Sequence, residues 1–312
     1  MQSNSIAEAV RQVFVIPEDF SATAASLIET SAKLVDPQKT VALSFLDNLR
    51  GMLRTLSLPF EFTYSQVHGL HWQRILTAER IRALIQTDEE EGEALALAKA
   101  RTKIHEFLSS DGQAIIRDEV LDRLNRLASE EQSLGTAREL TRQGVVLMWS
   151  AFKVLSRDLF TFLLNGHPQW TDRLLVHPAT RKRFSVEKLD WQTLSANSFD
   201  LSSSMGTLLA QRADLDDIQT IREAFGVLFP DAPNMNQRLG DERLWFLFQK
   251  RNLIVHRRGI VDRHYLEKTG DALQLGVQLV IAPAEIESLL SAVLAAGKAV
   301  IQRAAMSSRG HR

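Results

Sequence analysis

Cysteine is absent from this 312-residue chain, which excludes a disulfide framework, a cysteine-ligated zinc site and a thiol nucleophile together. Aromatic residues are few, at 7%, and most of them are Phe. No stretch reads as a glycine-rich phosphate loop or a dinucleotide-binding fingerprint. No apolar run approaches the length of a membrane span; the longest, near 145–152 and 289–296, read as buried faces of helices. The first residues, Met1-Gln2-Ser3-Asn4-Ser5, show no basic region followed by an apolar core, so no secretory signal is expected. Together these absences predict a cytoplasmic protein that does not engage a membrane. No histidine–carboxylate cluster has convincing ligand spacing, and neither a metal nor another cofactor is expected.

What is present is ordinary globular material, 45% hydrophobic and 24% charged, enough to bury a sizeable core. Leu, Ala, Glu and Arg dominate and favour helix. The net charge of -1 hides an asymmetry: residues 1–135 carry 14 Lys+Arg against 20 Asp+Glu, and residues 136–312 carry 23 against 18. Either the two surfaces merely differ in sign, or the basic half meets a polyanion and the acidic half does not.

Apolar residues recur at helical spacing almost throughout, which predicts an all-α protein. Helices are expected near 4–15, 18–34, 38–56, 64–86, 90–108 and 112–130, with breaks at Pro17, Pro37 and Pro59, because the residue before proline resists helix. Asp36 reads as an N-cap ahead of Pro37, and the acidic run 87–91 as a solvated first turn. A polar seam at 129–136 divides a helical region 1–130 from a second domain, 137–304, and 305–312 reads as a disordered tail. In the second domain helices are expected near 137–165, 186–196, 214–228, 236–257 and from Pro283 to about 304. Residues 273–281 are the one stretch with strand character.

The informative segment is 243–262, RLWFLFQKRNLIVHRRGIVD. On a helix, Leu244, Phe248, Arg251 and Val255 form one stripe, and Trp245, Gln249, Asn252 and His256 form its neighbour. Asn252 stands one turn before His256 and can orient its ring, while the long Arg251 side chain can reach back to the same cleft. Such a set suits RNA scission through the 2′-hydroxyl. Histidine moves protons near neutral pH, and arginine supplies fixed positive charge to the transition state. Arg251 and His256 would equally be explained as cations at a helix C-terminus, favoured there by the macrodipole.

Arg-Asn-Leu-Ile-Val-His, residues 251–256, resembles the R-polar-x-x-x-H signature of the HEPN (higher eukaryotes and prokaryotes nucleotide-binding) superfamily. Leu247-Phe248-Gln249 before it, and Gly259, Val261, Asp262 and Tyr265-Leu266 after it, add to the likeness, as does the apolar helix 144–162. The resemblance covers roughly residues 137–304. It implies an up-and-down helical bundle that dimerises and joins two arginine–histidine pairs in one cleft. It also implies a metal-independent endoribonuclease of toxin or antiphage-defence type. Arg251 and His256 map onto the catalytic pair and Asn252 onto the polar residue after the arginine. The family's acidic residue on the first helix is not matched: Lys153 stands at the first place to look, with Asp158 the nearest substitute and Gln249 a further accessory. Lys250, Arg257, Arg258 and Arg263, with His264, form a basic cluster that would hold RNA phosphates, or simply a solvated loop. The N-terminal region would then restrain the enzyme, sense a trigger or bind an antitoxin. A non-catalytic helical module binding RNA, nucleotide or protein through the same cleft is the alternative.

Two other groups are weaker. His68 and His71 share a helix face at i, i+3 but lack a carboxylate at supporting spacing. Arg181-Lys182-Arg183 reads as surface.

Overall fold

The computed structural model describes residues 2–85, 89–185, 191–213 and 215–309. The protein is all-α, 78% helical, and the described residues contain no strand. The longer helices are Gln2–Arg11, Gln38–Leu56, Leu58–Leu84, Glu89–Ser109, Gly112–Leu127, Glu131–Gly166, Ile218–Leu228, Glu242–Arg257 and Pro283–Arg309. No helix among the described residues is long and apolar enough to cross a membrane.

The chain divides into two compact units: residues 1–18, 54–141 and 282–284 form one, and residues 19–53, 142–281 and 285–312 the other. The first is built on Gln2–Arg11, Leu58–Leu84, Glu89–Ser109 and Gly112–Leu127 around Val10, Phe14, Val67, Ile116, Val120, Leu121 and Leu124. Inside it Glu79, only 2% exposed, receives Lys103 and Arg82. The hydrogen bond from Lys103 lowers the Glu79 carboxyl below its ordinary value; burial opposes this and the Arg82 charge adds to it.

The second unit buries Trp149, Phe152, Phe160, Phe184, Phe225 and Phe229. The Trp149 ring meets Phe248 at 5.0 Å and Phe160 meets Phe184 at 5.4 Å between centroids. Residues 19–53 belong here rather than with the rest of 1–130. Phe45 fits over Gly297, where a Cβ would come within 2.5 Å of its ring, and Gln38 Nε2 donates to the Ala304 carbonyl at 3.0 Å. Gly206 lets another helix, Met205–Arg212, approach closely: a Cβ there would lie 2.2 Å from the Thr161 carbonyl oxygen. Its N–H donates to Asn165 Oδ1 at 2.8 Å.

Several boundaries differ from the sequence expectations, each for a local reason. The strand foreseen at 273–281 does not form. Gly276 turns the backbone to φ +83°, and only the single antiparallel bridge Ile260–Gln278 remains. The helix foreseen at 236–257 is two, Pro233–Leu239 and Glu242–Arg257, separated at Gly240 and restarted by Asp241. Leu58–Leu84 begins ahead of 64 because Pro59 sits in the first turn, where its missing N–H costs nothing. Glu131–Gly166 begins inside the expected seam and runs on unbroken past it. The final helix runs on to Arg309, so 305–309 is not a disordered tail; 310–312 lies outside the described residues. Of the acidic run 87–91 and the helix expected at 186–196, residues 87–88 and 186–190 also lie outside them. Helices appear at Glu89 and at Trp191–Ala196.

Candidate functional site

Asp241 starts the motif helix, Glu242–Arg257. Its backbone is extended and its carboxylate accepts the Arg243 N–H at 3.0 Å, filling one of the donors a helix start leaves open. Arg243 also forks onto the same carboxylate, and its hydrogen bonds hold Asp241 below the ordinary range. Leu244, Leu247, Gln249, Leu253 and Ile254 are buried, so the helix is clasped on two sides as far as Ile254. Its last turn then emerges: Val255, His256 and Arg257 are all exposed. The apolar stripe read from the sequence therefore runs out of the core at Val255.

Beyond Arg257 the backbone turns sharply. Arg258 adopts the left-handed conformation at φ 53°, Gly259 follows at φ 75°, and the N–H of each returns to the Leu253 carbonyl. The chain then enters a short helix, Arg263–Thr269. Asp262 caps it by accepting the Tyr265 N–H at 2.8 Å. The Tyr265 ring is buried and its hydroxyl donates to Asp271 Oδ2 at 3.1 Å. Burial, reinforced by the Asp271 charge, raises the Tyr265 hydroxyl far above its ordinary value.

A cleft of about 350 Å³ is lined by Gln249, Asn252, Leu253, His256 and Arg257 of the motif helix together with Asp262, His264, Tyr265 and Lys268 of the short helix and its cap. Gln249 is only 7% exposed and has no hydrogen-bond partner among the described residues. Arg257 Nε lies 3.3 Å from Asp262 Oδ2, with the arginine side chain 65% exposed. A pair that open to water is worth about 0–1 kcal/mol, so it exchanges easily for an incoming anion.

Arg251 is not among the residues lining this cleft. Its Nη1 donates to Asn252 Oδ1 at 2.9 Å, and its Nε is buried without a hydrogen-bond partner. A guanidinium only donates, so the Asn252 oxygen must face it, which leaves the amide NH₂ for the cleft. Lys250 is bound to Glu285. Arg258 serves the turn with its backbone, and neither it nor Arg263 lines the cleft. Asp158, on the long helix, is also outside the lining; desolvation raises its carboxyl, with Arg157 opposing. Lys153 pairs with Asp216.

Sequence reasoning passed over Lys268 and gave His264 no role of its own. The signal was there: Asp262 three residues before Tyr265 marks a helix start, and His264 and Lys268 then share a face at i, i+4. Elsewhere, His71 does have a carboxylate, Glu119 at 3.1 Å from the neighbouring Gly112–Leu127 helix, and its ring stacks on Phe107. Among the described residues no third ligand joins them. Arg183 pairs with Glu223 at 3.2 Å.

No family model, curated protein or solved structure matches the chain. What the cleft offers chemically is two imidazoles, two exposed cations and two side-chain amides within one small concavity.

Proposed function

We propose that the cleft between Glu242–Arg257 and Arg263–Thr269 cleaves RNA, as a HEPN-like endoribonuclease of toxin or antiphage-defence type. The observation that carries the reading is that Asn252, His256, Arg257 and Lys268 converge on one open cleft. These are a proton-transfer group, two cations and an amide donor, the set that 2′-hydroxyl attack on a phosphodiester requires. His256 takes the proton from the 2′-hydroxyl and the 2′-oxygen bonds to phosphorus. The bond to the 5′-oxygen breaks and that oxygen takes a proton from an acid or water, leaving a 2′,3′-cyclic phosphate and a 5′-hydroxyl. Arg257, Lys268 and the Asn252 NH₂ meet the charge on the non-bridging oxygens. In the free site Arg251 acts through Asn252, holding its amide in place until a phosphate arrives. Homodimerisation through the 137–304 half, and an antitoxin or sensor on the N-terminal region, are parts of the same proposal.

The engagement of Arg251 by Asn252, away from the lining, favours the second reading, a non-catalytic module that binds RNA or nucleotide in this cleft. Incubating purified protein with labelled RNA in EDTA separates the two. Cleavage with 2′,3′-cyclic phosphate ends, lowered about 10²–10⁴-fold in His256→Ala, supports the enzyme. RNA retained intact supports the module. Products bearing 5′-phosphates, formed only with a divalent ion, overturn the proposed chemistry.

A further inference from the structure

The proposed reaction needs two proton transfers. One removes the proton from the attacking 2′-hydroxyl; the other gives a proton to the departing 5′-oxygen, which as a bare alkoxide leaves poorly. A single imidazole cannot do both in one concerted step, because it must begin neutral for the first and charged for the second. Pairing two chains around a shared cleft is one solution. This cleft contains another. His264 lines it together with His256, on a different helix of the same chain.

We infer that His264 is the general acid of the site, delivering its proton to the 5′-oxygen while His256 accepts the 2′-hydroxyl proton, so that one chain holds the complete acid–base pair. This rests on the ribonuclease reading given above. The geometry supports it in three ways. First, the two histidines line one cleft of about 350 Å³ from two different helices. Proton transfer at the two ends of an in-line displacement requires two separately mounted groups in one site. Second, the wall that carries His264 is fixed. The buried Tyr265 ring, its hydroxyl bond to Asp271 and the Asp262 cap hold Arg263–Thr269 in place. The backbone at His264 is thereby held by the core and the cap, not by a free loop. Third, the carboxyl and the phenol that share the cleft are committed elsewhere. Asp262 accepts the Tyr265 N–H and faces Arg257 at 3.3 Å, and the Tyr265 hydroxyl donates its hydrogen bond to Asp271. Arginine and lysine as residue types keep their protons at neutral pH, so Arg257 and Lys268 supply charge. Neither imidazole has a hydrogen-bond partner among the described residues, so both are open to substrate.

The step balances. The 2′-hydroxyl proton passes to His256, the oxygen–phosphorus bond forms, the phosphorus–5′-oxygen bond breaks, and the 5′-oxygen takes the His264 proton. Exchange with water then returns both rings to their starting states.

The test compares leaving groups. A dinucleotide releases an alkoxide that needs a proton, whereas a uridine 3′-(p-nitrophenyl phosphate) releases a phenolate that does not. His264→Ala should lose about 10²–10⁴-fold on the dinucleotide and stay within about tenfold of wild type on the nitrophenyl ester. His256→Ala should fall on both substrates, and Lys268→Ala should fall on both by a similar, smaller factor. Equal losses of His264→Ala on the two substrates, or none on either, would overturn the role of His264 alone. Wild-type protein that cleaves neither substrate removes the ribonuclease reading itself, and the acid with it.

Discussion

The turn that ends the motif helix sets where His256 is presented, and Gly259 is its critical residue. At φ +75° a side chain is strained whatever room it has, by about 1–2 kcal/mol for a non-glycine residue. Here the room is also short: a Cβ would stand 3.1 Å from Cδ of Arg142. Arg142 cannot move away freely, since its Nη1 donates to the Leu279 carbonyl at 3.3 Å while Leu279 donates its N–H to the Gly259 carbonyl at 2.7 Å. Gly259→Ala therefore strains the turn and pushes on the arginine behind it. Against this stands a gain of about 0.4–1 kcal/mol from the stiffer unfolded chain. The net expectation is a loss of about 1–2 kcal/mol. With a urea slope of about 3 kcal/mol per molar, the unfolding midpoint falls by about half a molar. Gly276→Ala is the matched control, because φ is +83° but nothing lies within 4 Å. It should lose less than Gly259→Ala. If Gly259→Ala unfolds at the wild-type midpoint, the strain argument fails; if the two variants lose equally, the Arg142 contact contributes nothing.

The neighbouring residue should respond in the opposite direction. Arg258 holds φ 53° without being glycine, so Arg258→Gly should raise stability by about 0.5 kcal/mol, seen as a small rise in Tm. Gly206→Ala should cost more than 2 kcal/mol in denaturant titrations, since the new Cβ meets the Thr161 carbonyl and backbone cannot step aside. Glu79, held below its ordinary 4.5, contributes stability that is present above that pH and lost as pH falls through its depressed value. Glu79→Gln should therefore flatten the acid-side loss of helicity followed by circular dichroism as pH is lowered below the ordinary carboxylate range.

The helical class of the protein and the wheel of its key segment were readable because both depend on neighbours three and four residues apart. Gln249, Asn252 and His256 share a cleft for that reason. The break at Gly240–Asp241 was equally local and equally readable, but the apolar residues on both sides carried the period across it. Other features were settled by partners far along the chain. Lys250 looked like one more phosphate-binding cation until Glu285, on the last helix, took it. Nothing in residues 19–53 says that Gln38 will seek the Ala304 carbonyl, or that Phe45 will fit a gap left by Gly297. Arg251 falls between these cases. Its place on the helix is local, but whether its guanidinium faces the cleft or Asn252 is a choice between two partners of similar reach. The buried, unpartnered Nε is the trace of that choice, and an unmet buried donor costs about 1–3 kcal/mol. A phosphate entering the cleft would offer Arg251 a stronger, charged acceptor than the Asn252 amide. Substrate binding should therefore turn the guanidinium from its neighbour toward the cleft, an outcome that the arginine side-chain NMR resonances of Arg251 with and without a non-cleavable 2′-deoxy dinucleotide would reveal. Resonances that stay fixed at saturating ligand would leave Arg251 as a positioning residue only.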